Sequence, residues 1–216
     1  MSNAIYFNSY KLKKGASVPD FLLAINNLFD TNIANANGHI SSVLFFDGER
    51  WADYSMWETM NDLNNFIAAS RAASASSTNE LAQKFYSFCN FNSGSSHRFS
   101  VEKCYGFDIK HFSAPNIISF HSYKLKKGVS VPDFLLAQER INHEFAPRQK
   151  GWISSQLLYD GKTWADIVIL KTKDDLDNLA TSCDQSDVTK KCFSYMDFST
   201  MKSHCFMIQK AFSNAN

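Results

Sequence analysis

The pattern of hydrophobic and polar residues in the first half of the chain predicts the element order β-α-β-β-α-β. Strand-like stretches occur at 5–13, 39–46, 50–58 and 97–106, and helical patterns follow Ser17 and extend from Asn61 to Phe91 with a break around 70–77. Ser17 begins Ser-Val-Pro-Asp, a typical helix N-cap, and Asp47-Gly48 is a typical hairpin turn. This order predicts a ferredoxin-like α+β unit, in which helices cover one face of an antiparallel sheet.

The second half of the chain repeats the first. Residues 9–24 recur as 122–137, an offset of 113, and after a loss of about six residues in the second copy the register resumes at an offset of 107. We therefore predict two ferredoxin-like domains, 1–110 and 115–216. Two such units in tandem are expected to cover each other's open sheet faces, which gives a pseudo-dimeric α+β barrel within one chain.

Composition and charge restrict the function without defining it. The chain has 216 residues and a formal net charge of +1, so it lacks the basic excess of a general nucleic-acid binder. It has neither a long apolar run nor a signal-peptide pattern, so we predict no membrane association and a cytoplasmic location. Its five cysteines and six histidines show no metal-binding spacing, and no metal or cofactor is predicted.

Two short motifs and the element order carry a family resemblance. Lys14-Gly15 ends the first strand, and Met56-Trp57-Glu58-Thr59 leads into the second helix, whereas Leu170-Lys171-Thr172 departs from that pattern in the second copy. With this order the chain resembles, over nearly its whole length, the dimeric α+β barrel superfamily that includes the antibiotic-biosynthesis-monooxygenase-like proteins. The resemblance implies that one chain forms the barrel that relatives build from two chains.

The haem-degrading members of that superfamily can be compared with this chain at three positions, which tests whether haem degradation is expected. The resemblance implies an Asn on the first strand and a Trp and a His on the second helix. Asn8 matches the first position, but Phe66 and Ser76 stand at the other two. Since axial haem ligation needs a donor such as His, haem degradation is not expected.

Polar residues on otherwise apolar strand faces are the candidate ligand-binding residues. Strand alternation places Asn8 and Tyr10 on one face, and His121 and Tyr123 on the matching face of the second copy. Trp57 shares a face of the third strand with Asp53. A small hydrophobic or aromatic ligand is expected to lie against these residues, with a pocket in each half. They could equally hydrogen-bond one another or lie at a solvated edge.

Asp53 and Asp166 are weak candidates for a general base, with His121 as a third. Each Asp follows a Trp by two residues, and a carboxylate beside aromatic surface has a raised pKa suited to proton abstraction. Pairing with the lysines of the neighbouring strand is the alternative.

Two functions remain open at this stage. One is a small-molecule-binding barrel, with the resemblance implying a cofactor-independent monooxygenase-like enzyme for an aromatic or polyketide-like substrate. The other is a non-catalytic barrel that serves as a structural or partner-binding module. The sequence does not decide whether the protein is an enzyme.

Overall fold

A computed structural model, which describes residues 2–75 and 79–213, separates the chain into two units. Unit 1 comprises Met1–Ser100 and Gln209–Asn216, and unit 2 comprises Val101–Ile208. The end of each repeat's last strand therefore belongs to the other unit. The predicted domains, 1–110 and 115–216, follow the boundaries of the sequence repeat, whereas the two units follow the packing within the structure. The predicted domain boundaries stay a prediction.

Unit 1 has the ferredoxin-like strand order β4-β1-β3-β2, and all three pairs are antiparallel. Its elements are β1 (Ala4–Leu12), α1 (Val18–Leu28), β2 (His39–Phe46), β3 (Trp51–Trp57), α2 (Met60–Ala75), α3 (Glu80–Phe88) and the first part of β4 (Cys89–Tyr105). A π-helical turn at Phe29–Ile33 continues α1. The apolar face of α1 packs with α3 against the sheet, so that Phe21, Ile25 and Phe85 are buried in one core.

Unit 2 repeats this arrangement with the order β8-β5-β7-β6. Its elements are β5 (Ile117–Leu125), α4 (Val131–Arg140), β6 (Trp152–Tyr159), β7 (Trp164–Leu170), α5 (Lys173–Gln185), α6 (Asp187–Phe193) and most of β8 (Met196–Ser213). A π-helical turn at Ile141–Phe145 continues α4, as in unit 1. The predicted fold class, α+β with two tandem ferredoxin-like units, is confirmed. Within the described residues, no helix is both long and apolar enough to cross a membrane.

The caps and turns predicted from the sequence form in both repeats. Ser17 accepts a hydrogen bond from the Asp20 backbone N–H at 3.3 Å, and Ser130 caps α4 in the same way. Asp47 Oδ1 accepts hydrogen bonds from the backbone N–H groups of Glu49 and Arg50 in the β2–β3 turn, where Gly48 adopts a φ of 101°. Local sequence therefore fixes the entry to each first helix and the register of each hairpin.

The boundary between the second helical region and the last strand differs from the prediction. The helical region expected from Asn61 to Phe91, with a break around 70–77, forms α2 and α3, but α3 ends at Phe88 and β4 begins at Cys89 instead of at 97. Apolar residues at helical spacing run on to this point, but pairing of Cys89 with Leu12 of β1 gives the backbone an extended conformation there. Residues 70–75 are still helical, and Ser76 of the haem comparison lies outside the described residues.

Candidate functional site

Unit 1 contains a cavity of about 570 Å³ between its sheet and its helices. This volume lies in the range of small-molecule binding sites. Most of its wall is apolar, and its apolar and aromatic residues include Leu28, Phe29, Phe66, Ile67, Phe85 and Phe91. Tyr6 and Asn8 from β1 and Asp53 and Ser55 from β3 supply polar groups. Such a wall suits a flat, largely apolar molecule that carries a few polar groups.

Asp53 is the acidic residue of this wall, and it lies directly opposite Asn8 in the β1–β3 pairing. Burial raises the pKa of Asp53 to about 7, although the neighbouring polar side chains of Tyr10 and Asn8 oppose the rise. Among the described residues, Lys11, which the sequence offered as its partner, pairs instead with Glu49. The carboxyl group is therefore able to take up or release a proton near neutral pH.

Two buried oxygens at this site lack hydrogen-bond partners. Within residues 2–75 and 79–213, neither the Tyr10 hydroxyl nor Asp53 Oδ1 has one. Tyr10 is fully buried, and burial followed by the charge of Asp53 raises its pKa well above the usual value. Buried polar groups without partners are costly, so two at one wall of a cavity are a sign of a binding site.

The corresponding residues of unit 2 form a closed hydrogen-bond network. The Tyr123 hydroxyl donates to Asp166 Oδ2 at 2.7 Å. Gln138 Nε2 lies 3.1 Å from that hydroxyl oxygen and 3.4 Å from Asp166 Oδ1, and donates to both. Burial also raises the pKa of Asp166 to about 7. The same Tyr–Asp pair is thus satisfied in unit 2 by an amide that unit 1 does not have.

Residue exchanges between the repeats account for this difference. At the offset of 113, Gln138 corresponds to Ile25, and Asn142 corresponds to Phe29. Gln138 and Asn142 are buried, and Asn142 Nδ2 donates to the Gln138 carbonyl at 2.9 Å. A second cavity, of about 110 Å³, lies between α4 and α6 and includes neither residue. The expectation of one pocket in each half therefore stays a prediction for unit 2, where Gln138 and Asn142 are buried and hydrogen-bonded.

A bulge in β4 also shapes the cavity of unit 1. The β1–β4 register skips between Ser9 and Lys11, and the same skip occurs in the β5–β8 pair. Gly94 lies in this bulge and lines the cavity, and a Cβ atom there would lie 1.6 Å from the Ser9 carbonyl oxygen. Only glycine permits that approach of the two backbones. At the offset of 107, unit 2 has Met201, which packs against its apolar core.

The residues predicted to bind ligand occupy different environments. Asn8 lines the cavity, whereas Tyr10 lies behind the wall. Trp57 is fully buried, where its Nε1 donates to Ser55 Oγ at 2.9 Å and its ring packs on Phe66. These three residues belong to unit 1.

The two candidates of unit 2 are engaged in hydrogen bonds. Tyr123 is part of the network with Asp166. His121 lies 2.7 Å from Ser119 Oγ through Nε2 and 2.8 Å from Ser203 Oγ through Nδ1. Burial, and then the nearby His204, lowers the pKa of His121, which favours the neutral ring. Both ring nitrogens are thus committed to serine hydroxyls.

Several wall residues were not identified from the sequence. Ile25, Phe85, Phe91 and Gly94 line the cavity, and none of them was a candidate site residue in the sequence. The signal that could have found them is the comparison of the repeats, because the exchanges of Ile25 for Gln138 and of Gly94 for Met201 mark where the copies differ inside a shared fold.

The comparisons with known proteins identify the fold. No protein-family model and no curated protein sequence matches the chain. Among solved structures, a candidate monooxygenase from Fusobacterium nucleatum has a TM-score of 0.67 and 10% identity, covering 98% of this chain and 94% of its own. An anthrone oxidase-like protein has a TM-score of 0.66 and 11% identity, covering 100% and 95%.

A haem-degrading enzyme from Listeria monocytogenes is also similar, with a TM-score of 0.54 and 11% identity over 95% of this chain and 99% of its own. These structures have the dimeric α+β barrel fold, and they cover both repeats. The resemblance to that superfamily stated from the sequence is therefore confirmed as a resemblance of fold.

The cavity wall does not fit haem. Its described residues include no histidine, cysteine or methionine. Tyr86 offers an oxygen, but burial raises its pKa and so disfavours the phenolate that would bind ferric iron. The Tyr6 hydroxyl accepts a hydrogen bond from Ser96 at 3.0 Å. No axial donor is thus available in suitable form.

Proposed function

We propose that unit 1 is a cofactor-independent monooxygenase-like site for a neutral aromatic substrate. The observation that carries the proposal is one carboxylate, Asp53, with a pKa raised to about 7, in the wall of a largely apolar cavity of about 570 Å³. A general base is most effective when its pKa lies near the working pH. The largely apolar wall of the cavity suits the binding of an aromatic substrate beside this carboxylate.

The proposed reaction begins with proton abstraction. Asp53 takes the acidic proton of the substrate, and the resulting carbanion gives its electrons to molecular oxygen, which becomes a peroxide bound at that carbon. Cleavage of the O–O bond, with loss of the second proton from the same carbon, leaves a ketone and releases one water. One CH₂ group and one O₂ thus give one C=O group and one H₂O, and no external reductant is needed.

The similarity to the anthrone oxidase-like protein supports this reaction class, since an anthrone has such an acidic CH₂ group between aromatic rings. Because the identity is 11%, its name indicates which substrate to test first, and the argument for the site rests on the cavity.

For unit 2 we propose a supporting role. Tyr123, Asp166 and Gln138 hydrogen-bond one another, and Gln138 and Asn142 are buried at the positions that Ile25 and Phe29 have in unit 1. This arrangement favours, for that half, the non-catalytic alternative left open by the sequence.

The test is aerobic turnover of anthrone, followed by oxygen uptake and by the absorbance of the quinone. We expect turnover by the unmodified protein, and a loss of about 100-fold or more in Asp53→Asn, as is typical for removal of a general base. Asp166→Asn is the matched control and should retain turnover. Equal activity of wild type and Asp53→Asn would overturn the proposed base. Binding of anthrone without oxygen uptake would favour a non-catalytic binding protein.

A further inference from the structure

We propose that Ile25 makes unit 1 selective for neutral aromatic ligands that present a hydrogen-bond donor, an O–H or N–H group, to Asp53. In this view the ligand's donor takes the place that the Gln138 amide occupies in unit 2. The inference rests on the proposed function in one respect, that the cavity binds an aromatic molecule. It adds the chemical group that the molecule must carry and the residue that imposes it.

Unit 2 provides an internal reference for the missing group. Tyr123 and Asp166 stand at the positions of Tyr10 and Asp53, and one amide N–H group lies within 3.1 Å and 3.4 Å of their oxygens. In unit 1 the same two oxygens are buried, and within residues 2–75 and 79–213 they have no partner. What unit 1 lacks is therefore the donor that the helix supplies in unit 2, and Asp53 Oδ1 can accept a hydrogen bond from another source.

Ile25 determines that this donor must come from a ligand. It is buried, it corresponds to Gln138, and it lines the cavity. An aliphatic side chain cannot donate a hydrogen bond, and the cavity beside it leaves room for a molecule that can. Asp53 itself forms part of the wall, so a ligand in the cavity can reach the carboxylate.

The charge of the site selects the kind of donor. The wall has one basic residue, Arg71, as well as the acidic Asp53. Next to Asp53 itself, a carboxylate or phosphate on the ligand would face an anion, and like charges repel strongly in apolar surroundings. A neutral hydroxyl avoids that repulsion and forms a charge-assisted hydrogen bond. The aromatic wall, with Phe85 and Phe91 packed within 5.9 Å and 5.1 Å of the Tyr10 ring centre, favours a hydroxyl attached directly to a ring.

The experiment compares two probes of nearly equal shape by calorimetry at pH 8. 2-Naphthol carries the donor, and 2-methoxynaphthalene has a methyl group in place of the proton. We expect wild type to bind 2-naphthol about 10-fold or more tightly than the ether, the effect of one hydrogen bond to a charged group. In Ile25→Gln the amide should satisfy Asp53 internally, and the preference should fall to within about 2-fold. Ile25→Leu, which keeps an apolar side chain of equal size, should retain the wild-type preference.

The outcomes separate this inference from the proposed function. If wild type binds both probes equally, the donor requirement is wrong while the aromatic cavity stands. If wild type binds neither probe, the proposal of an aromatic-binding cavity fails together with it. If Ile25→Gln still binds and still prefers 2-naphthol about 10-fold, Ile25 is not the determinant. The comparison of the two probes in wild type decides the donor requirement even if Ile25→Gln fails to fold.

Discussion

Unit 1 and unit 2 have the same strand order, the same helix caps and the same Tyr–Asp pair, but the side chains around that pair differ. In unit 2 the pair is part of a hydrogen-bond network with Gln138, whereas in unit 1 Ile25 stands in that place beside a cavity of about 570 Å³. The difference does not come from the backbone fold. It comes from a few side chains inside a scaffold that both copies share.

The comparison indicates how a duplicated fold can divide stability and function. Satisfied buried networks make a core rigid, and unpaired buried groups cost free energy unless a ligand completes them. Unit 2 has a satisfied network, whereas unit 1 has unpaired buried groups. One copy can therefore contain a binding site that lowers its stability, while the other copy stays stable. The stability of each unit should therefore depend on the residues at which the two copies differ.

The largest effect is expected at the β4 bulge. Gly94→Ala would place a Cβ atom 1.6 Å from the Ser9 carbonyl oxygen, so one backbone must move. We expect a loss of about 3 kcal/mol or more in the free energy of unfolding, as for severe overpacking. Met201→Ala at the matching position of unit 2 removes part of an apolar contact and should cost about 1–2 kcal/mol. Urea denaturation of both variants measures the difference, and equal losses would mean that the two bulges are not distinct.

The sequence was sufficient for the fold because the determinants of the fold are local and occur twice. Ser17 and Asp47 act within a few residues, and their counterparts in the second copy confirm the pattern. The β4 boundary was missed because it depends on pairing of Cys89 with Leu12, far away in the chain.

The candidate site was only partly predictable for the same reason. Asn8 and Asp53 were found because strand alternation assigns them to a face. Whether that face meets a cavity or a network depends on which side chain an opposing helix presents, and a buried Ile25 reads as core in any single helix. Periodicity alone cannot distinguish a core position from a cavity wall.

An intermediate effect is expected from Gln138→Ile, which gives unit 2 the residue of unit 1. The change removes the donor to Asp166 Oδ1 and to the Tyr123 hydroxyl oxygen, so a buried carboxylate oxygen loses its partner. We expect the free energy of unfolding to fall by about 1–3 kcal/mol. Gln138→Glu, of nearly equal shape, is the control for volume and should be at least as destabilising at pH 8 because it adds a second buried carboxylate. A Gln138→Ile variant as stable as wild type would show that the network does not stabilise unit 2.

The effect that is smallest per pH unit is a pH dependence of stability that both carboxyls should share. The pKa of Asp53 and of Asp166 is about 7 in the folded protein, against about 3.9 in an unfolded chain. Between these values the folded state binds more protons than the unfolded state, so stability is highest at the acid end and falls as the pH rises towards 7. Each group should contribute a slope of at most about 1.4 kcal/mol per pH unit, which levels off above pH 7.

Subtraction isolates the contribution of each unit to that slope. The free energy of unfolding of wild type minus that of Asp53→Asn should decrease from pH 4.5 to pH 6.5, and the same should hold for Asp166→Asn, since other titrating groups cancel in each difference. A flat difference for Asp53→Asn alone would mean that the carboxylate of unit 1 is solvated through its cavity and has an ordinary pKa. The cavity would then still bind a ligand, but Asp53 would lose the property that suits it to act as a base near neutral pH.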